Sequence, residues 1–173
     1  MFIEIIAKII SRTPIYVWFI FVILLKRGIS SIKDSKLSLK KMLIVPVIFA
    51  IWGLEKLFTS FSYLGISMIF YLVFTFLGTL VGYFLYAKHR KIYVKDNSYY
   101  RTGSYLPLSI MLINFFIKYL LNVILSINPL LYKEFYFSIF YSLICGFSVG
   151  LFIGGILQAY NAYSHLKSDL ISL

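Results

Sequence analysis

An all-α membrane protein, built as a bundle of five transmembrane helices, is the fold class this sequence predicts. Three observations predict it. The 173 residues are 61% hydrophobic and only 13% charged, whereas a soluble domain runs near half apolar and a quarter charged. Apolar runs of about 20 residues, enough to cross the hydrocarbon at ~1.5 Å per helical residue, recur along the chain. Lysine and arginine alternate between rich and poor connections, as they do in multi-pass chains. Together these exclude a soluble enzyme, a disordered tail and a disulfide scaffold. Cys145 is the single cysteine, so it forms no internal disulfide and reads as a small packing residue in an apolar stretch.

Residues 1–12 read as an amphipathic helix in the membrane interface. Phe2, Ile5, Ile6, Ile9 and Ile10 share one side of the wheel, and Glu4, Lys8 and Arg12 the other. Residues 13–173 read as one five-span domain. Span one covers about 14–32, with Thr13 as N-cap and Pro14 as first helical residue. Its uncharged run, Ile15 to Leu25, is followed by Lys26 and Arg27 where a cleavage site would need small residues. It is therefore expected as a retained span with snorkelling basic side chains rather than a signal peptide. Span two covers 41–58 and contains Pro46. Span three covers 62–87. Span four covers 105–127, with Ser104 as its cap and Asn128-Pro129 beyond its end. Span five covers 135–163.

With five spans, twelve of the 17 basic residues collect on one side and four on the other, Lys118 lying inside span four. The basic side is expected in the cytoplasm, leaving the N-terminus outside and the C-terminus inside. The net charge of +11 then reflects orientation and attraction to anionic headgroups at the basic loops. Nucleic acid is not an expected partner, since these loops are too short to carry a folded stacking surface. A bias toward Ile, Phe, Tyr, Lys and Asn over Ala and Arg suggests an AT-rich, bacterial genome and hence an inner membrane. One basic loop is expected to fold. Lys91–Val94 and Tyr99–Arg101 are β-prone, and residues 95–98 between them are turn chemistry, so they form a short hairpin.

Two features could carry function. Asn114, Lys118 and Asn122 recur at i, i+4, i+8 and share one face of span four. A lysine at mid-membrane costs ~2.5–3.5 kcal/mol on insertion scales and ordinarily has a partner. Glu55 is the candidate: it lies about 21 Å above the basic end of span two, and Lys118 about 22 Å above that of span four. The group reads as a polar clamp between helices or as a small pocket for an anionic headgroup or solute. The second feature is small-residue spacing, Gly78 and Gly82 in span three and Gly146, Gly150 and Gly154 in span five. It predicts close helix packing inside the chain, with homodimerisation as the sharper alternative. Tyrosines near the predicted ends form an interfacial belt, while Trp18 and Trp52 lie deeper and read as packing residues. Lone His89 and His165, without a carboxylate cluster, indicate no metal site. No catalytic motif or cofactor loop is present in the sequence.

Several short segments resemble a family of small proteobacterial five-helix inner-membrane proteins of unknown function. They are Thr13-Pro14 with Trp18, Leu43 with Pro46, Gly103-Ser104-Tyr105-Leu106-Pro107-Leu108, Lys118-Tyr119 and the glycines of span five. The family's pattern has proline before the Gly-Ser pair and arginine after the last glycine, where this chain has Thr102 and Gly155. A more distant similarity is to CcdC-like membrane proteins. The resemblance implies the membrane fold and no established activity. The functional expectation is a non-enzymatic membrane protein that binds a lipid or small solute, or assists a partner, through the Lys118 face. The alternatives are a subunit of a small dimeric transporter and a membrane-embedded enzyme.

Overall fold

The computed structural model describes residues 13–96 and 98–171. The expected interfacial helix over 1–12 lies outside them. The element order is α1 (Ile15–Ser30), β1 (Ser35–Lys36), α2 (Leu39–Met42), α3 (Ile44–Thr59), α4 (Leu64–His89), β2 (Ile92–Lys95), β3 (Ser98–Arg101), α5 (Leu106–Ile127), a 3-10 turn (Pro129–Lys133) and α6 (Phe135–Ile171). Among the described residues, four stretches are long and apolar enough to cross a membrane: Leu39–Thr59, Leu64–His89, Leu106–Ile127 and Phe135–Ser168.

Local chemistry explains the boundaries. Helix α1 begins at Ile15 with Pro14 at its cap, one residue later than expected. Pro14 is the N-cap, and the Thr13 hydroxyl meets the Tyr119 hydroxyl at 2.7 Å. The α2–α3 step falls at Leu43. Pro46 has no N–H for the carbonyl of Met42, so the helix loosens there and then continues. Tyr105, not Ser104, is the N-cap of α5, and Ser104 Oγ just before it accepts the Leu106 N–H at 3.2 Å. Helix α6 runs on to Ile171, beyond the apolar stretch that marked span five, and Tyr163 there packs edge-on against Tyr99 at 4.6 Å.

The expected hairpin forms, with Tyr93 opposite Tyr100 and Lys95 opposite Ser98. Asp96 takes a positive φ of 47° in the turn, a conformation that aspartate tolerates better than most residues. The sheet is larger than expected. Strand β1 pairs antiparallel with β3, Ser35 opposite Arg101 and Lys36 opposite Tyr100, so the order is β1-β3-β2. The two basic loops are therefore joined into one three-stranded cap over one end of the bundle.

Helices α4 and α6 pack backbone to backbone. All five glycines singled out by spacing lie in this contact within one chain, each facing backbone of the other helix. The hydroxyls of Thr75 and Thr79 bond their own helix carbonyls at 2.7 and 2.8 Å, so they approach the partner helix with no unmet polar demand. Away from this seam, α4 exposes Leu72, Phe76 and Phe84, the last 69% exposed. Glycine inside and large apolar side chains outside is the arrangement of a lipid-facing helix, where the surrounding chains are as apolar as the core.

Aromatic side chains fill the rest. Phe49 stacks on Phe152 at 5.4 Å, and Trp52 meets Phe115 at 5.7 Å. At the end opposite the sheet, Phe61 packs on Tyr132 and Tyr141. Trp18 departs from expectation. Helix α1 turns Val17, Leu24 and Gly28 inward, and Trp18, one residue round from Val17, is on the outer surface.

Candidate functional site

The polar face of α5 is brought together in part. Lys118 is only 1% exposed. Its Nζ donates to the Phe49 carbonyl at 2.6 Å and lies 5.0 Å from the Phe49 ring centroid. Gly53 makes room for it, since a Cβ there would stand 3.2 Å from Nζ. The buried Cys145 closes the same site. Asn114 accepts from Ser148 Oγ at 2.8 Å, linking α5 to α6, while its Nδ2 has no partner. Asn122 turns back on its own helix and donates to the Lys118 carbonyl at 2.8 Å.

The expected Glu55–Lys118 pair does not form. Glu55 is exposed, with its carboxylate 3.6 Å from Lys56 Nζ. The depth was right but the azimuth was not. Gly53 is the α3 position that faces Lys118, and Glu55, two residues on, points roughly 200° away around the helix.

A second site lies beneath the sheet, at the basic end. It is a cavity of about 260 Å³ whose wall holds five cations, Arg27, Lys36, Lys41, Arg90 and Arg101. Five elements supply them: α1, β1, α2, the end of α4 and β3. Arg27 lies in the last turn of α1, where a cation suits the helix dipole, and donates from Nη1 to the Lys41 carbonyl at 2.9 Å. Lys36 is on β1. Arg101 closes β3 and donates from Nε to Ser35 Oγ at 2.8 Å. Arg90 caps α4, where the backbone turns extended to feed β2.

Arg90 is the unusual member. It is 3% exposed, its guanidinium lies 5.5 Å from the Tyr86 ring centroid, and its Nε and Nη2 have no hydrogen-bond partner. Burial, with the like charge of Arg101 adding to it, pushes Arg90 down to about 10, and burial pulls Arg101 the same way. Both remain cationic at neutral pH. No aspartate or glutamate is among the described residues that line it. The floor is apolar, with Val45, Met111, Phe152 and Ile156. A buried guanidinium with unmet donors and no acid beside it can lower its free energy by taking an anion.

The one acid in the loop between α1 and α2 is occupied elsewhere. Asp34 accepts the Tyr93 hydroxyl at 2.6 Å and the Gly103 N–H at 2.8 Å. Those two donors hold its carboxyl below the usual carboxylate range. A depressed acid contributes fully above its unfolded pKa and loses that contribution as pH falls through the folded value. The pin is therefore intact at neutral pH, and it holds Ser35 and Lys36 against the cavity. Asp34→Ala is expected to speed amide exchange across residues 31–38 while leaving exchange in α4 and α6 unchanged. Equal exchange in both proteins would show that the loop is held by its strand pairing alone.

A family described as a family of unknown function, DUF6622, matches residues 2–160. The chain belongs to DUF6622. The family resemblance read from the short motifs is met at that level: a family of unknown function spanning nearly the whole chain. No curated protein and no solved structure matches this DUF6622 chain.

Counting charges by loop hid the cavity, because that count treats lysine and arginine alike. A finer signal was present. The chain has only four arginines among its 17 basic residues, and Arg27, Arg90 and Arg101 all line this one cavity. Arginine's rigid fork suits bidentate contacts to phosphate and carboxylate in a way lysine's point charge does not. Lys118 is not among the lining residues.

Proposed function

We propose that this is a non-enzymatic, multi-pass protein of a bacterial inner membrane that holds the anionic group of a lipid or small solute in the basic cavity. Arg90 carries the reading, a buried guanidinium with two unpartnered nitrogens in the wall of a cavity with no acid among its described lining residues. Lys118 is the weaker candidate for the same role, because its ammonium is fully enclosed and already bonded to Phe49. In this reading Lys118 and Asn114 fasten α5 to α3 and α6.

Five crossings with the N-terminus outside complete the proposal. Helix α1 has 16 residues, about 24 Å of helix, somewhat short of the ~30 Å hydrocarbon core. Thr13, Pro14 and the snorkelling Lys26 and Arg27 extend its reach. All twelve cations of the rich side then lie with the sheet and cavity at the cytoplasmic surface, as the positive-inside rule requires. The cavity meets the membrane where anionic headgroups and cytosolic anions are both within reach.

The test is thermal unfolding of the detergent-purified protein with inorganic phosphate, against sodium chloride of equal ionic strength. A ligand bound only by the folded state stabilises it in proportion to RT ln(1 + [L]/Kd). Phosphate is expected to raise the midpoint by a few degrees in the native protein and by nothing in Arg90→Met. Identical responses in the two proteins would overturn the assignment of the cavity as an anion site.

A further inference from the structure

The composition of the cavity wall narrows the ligand further, and this step rests on the anion-binding reading above. Zwitterionic headgroups carry an ammonium alongside their phosphate. Here that ammonium would meet five cations and no lining carboxylate, and Asp34, the nearest acid in sequence to β1, is held by Tyr93 and Gly103. Like charges brought together in a partly desolvated site are strongly disfavoured. The wall thus selects a group that is anionic throughout.

The donors argue for a terminal phosphate over a bridging one. A phosphate monoester carries about −1.5 to −2 charges at neutral pH and offers three free oxygens. A phosphodiester carries one charge and offers two. Arg90 has two unpartnered nitrogens, both buried, Nε and Nη2, and such a pair suits a bidentate contact to two oxygens. The third oxygen is left for the exposed Lys36 and Lys41, which also line the cavity.

The floor argues for a tail. Val45, Met111 and Phe152 are each buried against the bundle yet line the cavity. A free inorganic ion would leave these apolar groups facing water or charge, whereas a hydrocarbon chain would cover them. At about 260 Å³ the space is below the ~300–1,000 Å³ typical of sites that enclose a whole drug-sized ligand. It takes a headgroup and the first carbons, with the rest of the chain outside.

We infer that the ligand is an amphiphile ending in a phosphate monoester, its phosphate on Arg90 and its chain leaving over Val45, Met111 and Phe152. The experiment is native mass spectrometry of the full chain in detergent, titrated with three lipids of identical acyl chains: phosphatidic acid, phosphatidylglycerol and phosphatidylcholine. Phosphatidic acid is expected to bind about tenfold tighter than phosphatidylglycerol, with phosphatidylcholine weaker still. Arg90→Met should weaken phosphatidic acid by about 10- to 100-fold. Lys41→Gln, on an exposed rim residue that does not threaten the fold, should weaken it by a few-fold. Equal binding of phosphatidic acid and phosphatidylglycerol, both sensitive to Arg90→Met, would overturn the monoester while leaving the anion site in place. A response to inorganic phosphate with no lipid preference would overturn the amphiphile and again leave the anion site. No response to any of these anions would overturn both.

Discussion

Gly150→Leu is expected to abolish recovery of a monodisperse protein. The glycine sits in the centre of the α4–α6 seam, and any Cβ there would collide with the Thr75 carbonyl oxygen. It would also stand 2.7 Å from the Thr79 nitrogen and 2.9 Å from the Gly78 carbonyl carbon. These are backbone atoms held in helical hydrogen bonds, so they cannot swing aside as a side chain would. Overpacking ordinarily costs ~1–3 kcal/mol and more where the backbone has to move, against a total stability of about 5–15 kcal/mol. Gly150→Ala should already lower the melting midpoint, and leucine should separate the helices altogether. Gly65→Leu is the control, since a Cβ at Gly65 meets nothing within 4 Å. Size-exclusion chromatography in detergent reads the outcome. A native-like peak for Gly150→Leu would mean that the seam is looser than these contacts require.

Lys118→Ala and Lys118→Met are expected to diverge. Alanine removes a fully enclosed side chain and leaves a void, which costs ~2–5 kcal/mol for residues of this size. Methionine keeps most of the volume and removes the ammonium. What it gives up is the bond to the Phe49 carbonyl and the cation–ring contact. Interhelical hydrogen bonds in membranes average ~0.6 kcal/mol. What it gains is relief from burying a cation that has no carboxylate beside it, ~2.5–3.5 kcal/mol on insertion scales. The second term is larger, so Lys118→Met should melt at or above the native midpoint and Lys118→Ala well below it. If both variants lose stability equally, the ammonium and not its apolar stem holds the site together.

The elements were legible because their signals are local. Apolar runs between polar breaks marked the long helices to within a few residues, except the far end of α6, which continues eight residues past the expected 163, and β-prone residues around Lys95–Ser98 marked the hairpin. Strand β1 was not legible. Ser35 and Lys36 have no strand preference of their own, and they pair only because β3 is already in place with Arg101 and Tyr100 opposite them. The Lys118 face was half legible. Rise per residue gave its depth, but which way Glu55 turns depends on how α3 is packed, and Gly53 and Trp52 occupy the inward positions. The cavity was the least legible feature. Arg27, Lys36, Arg90 and Arg101 come from segments far apart in sequence, and only the three-stranded sheet draws them to one wall.

The glycine seam also constrains how anything could enter or leave the cavity. Two helices touching through main chain have no side-chain layer to shear, so they act mechanically as a single strut. Tyr86 and Arg90 on one helix, with Phe152 and Gly155 on the other, belong to that strut and line the cavity. Any widening of the cavity therefore falls to the wall outside that strut, the short Ser35–Lys36 strand tethered through Asp34.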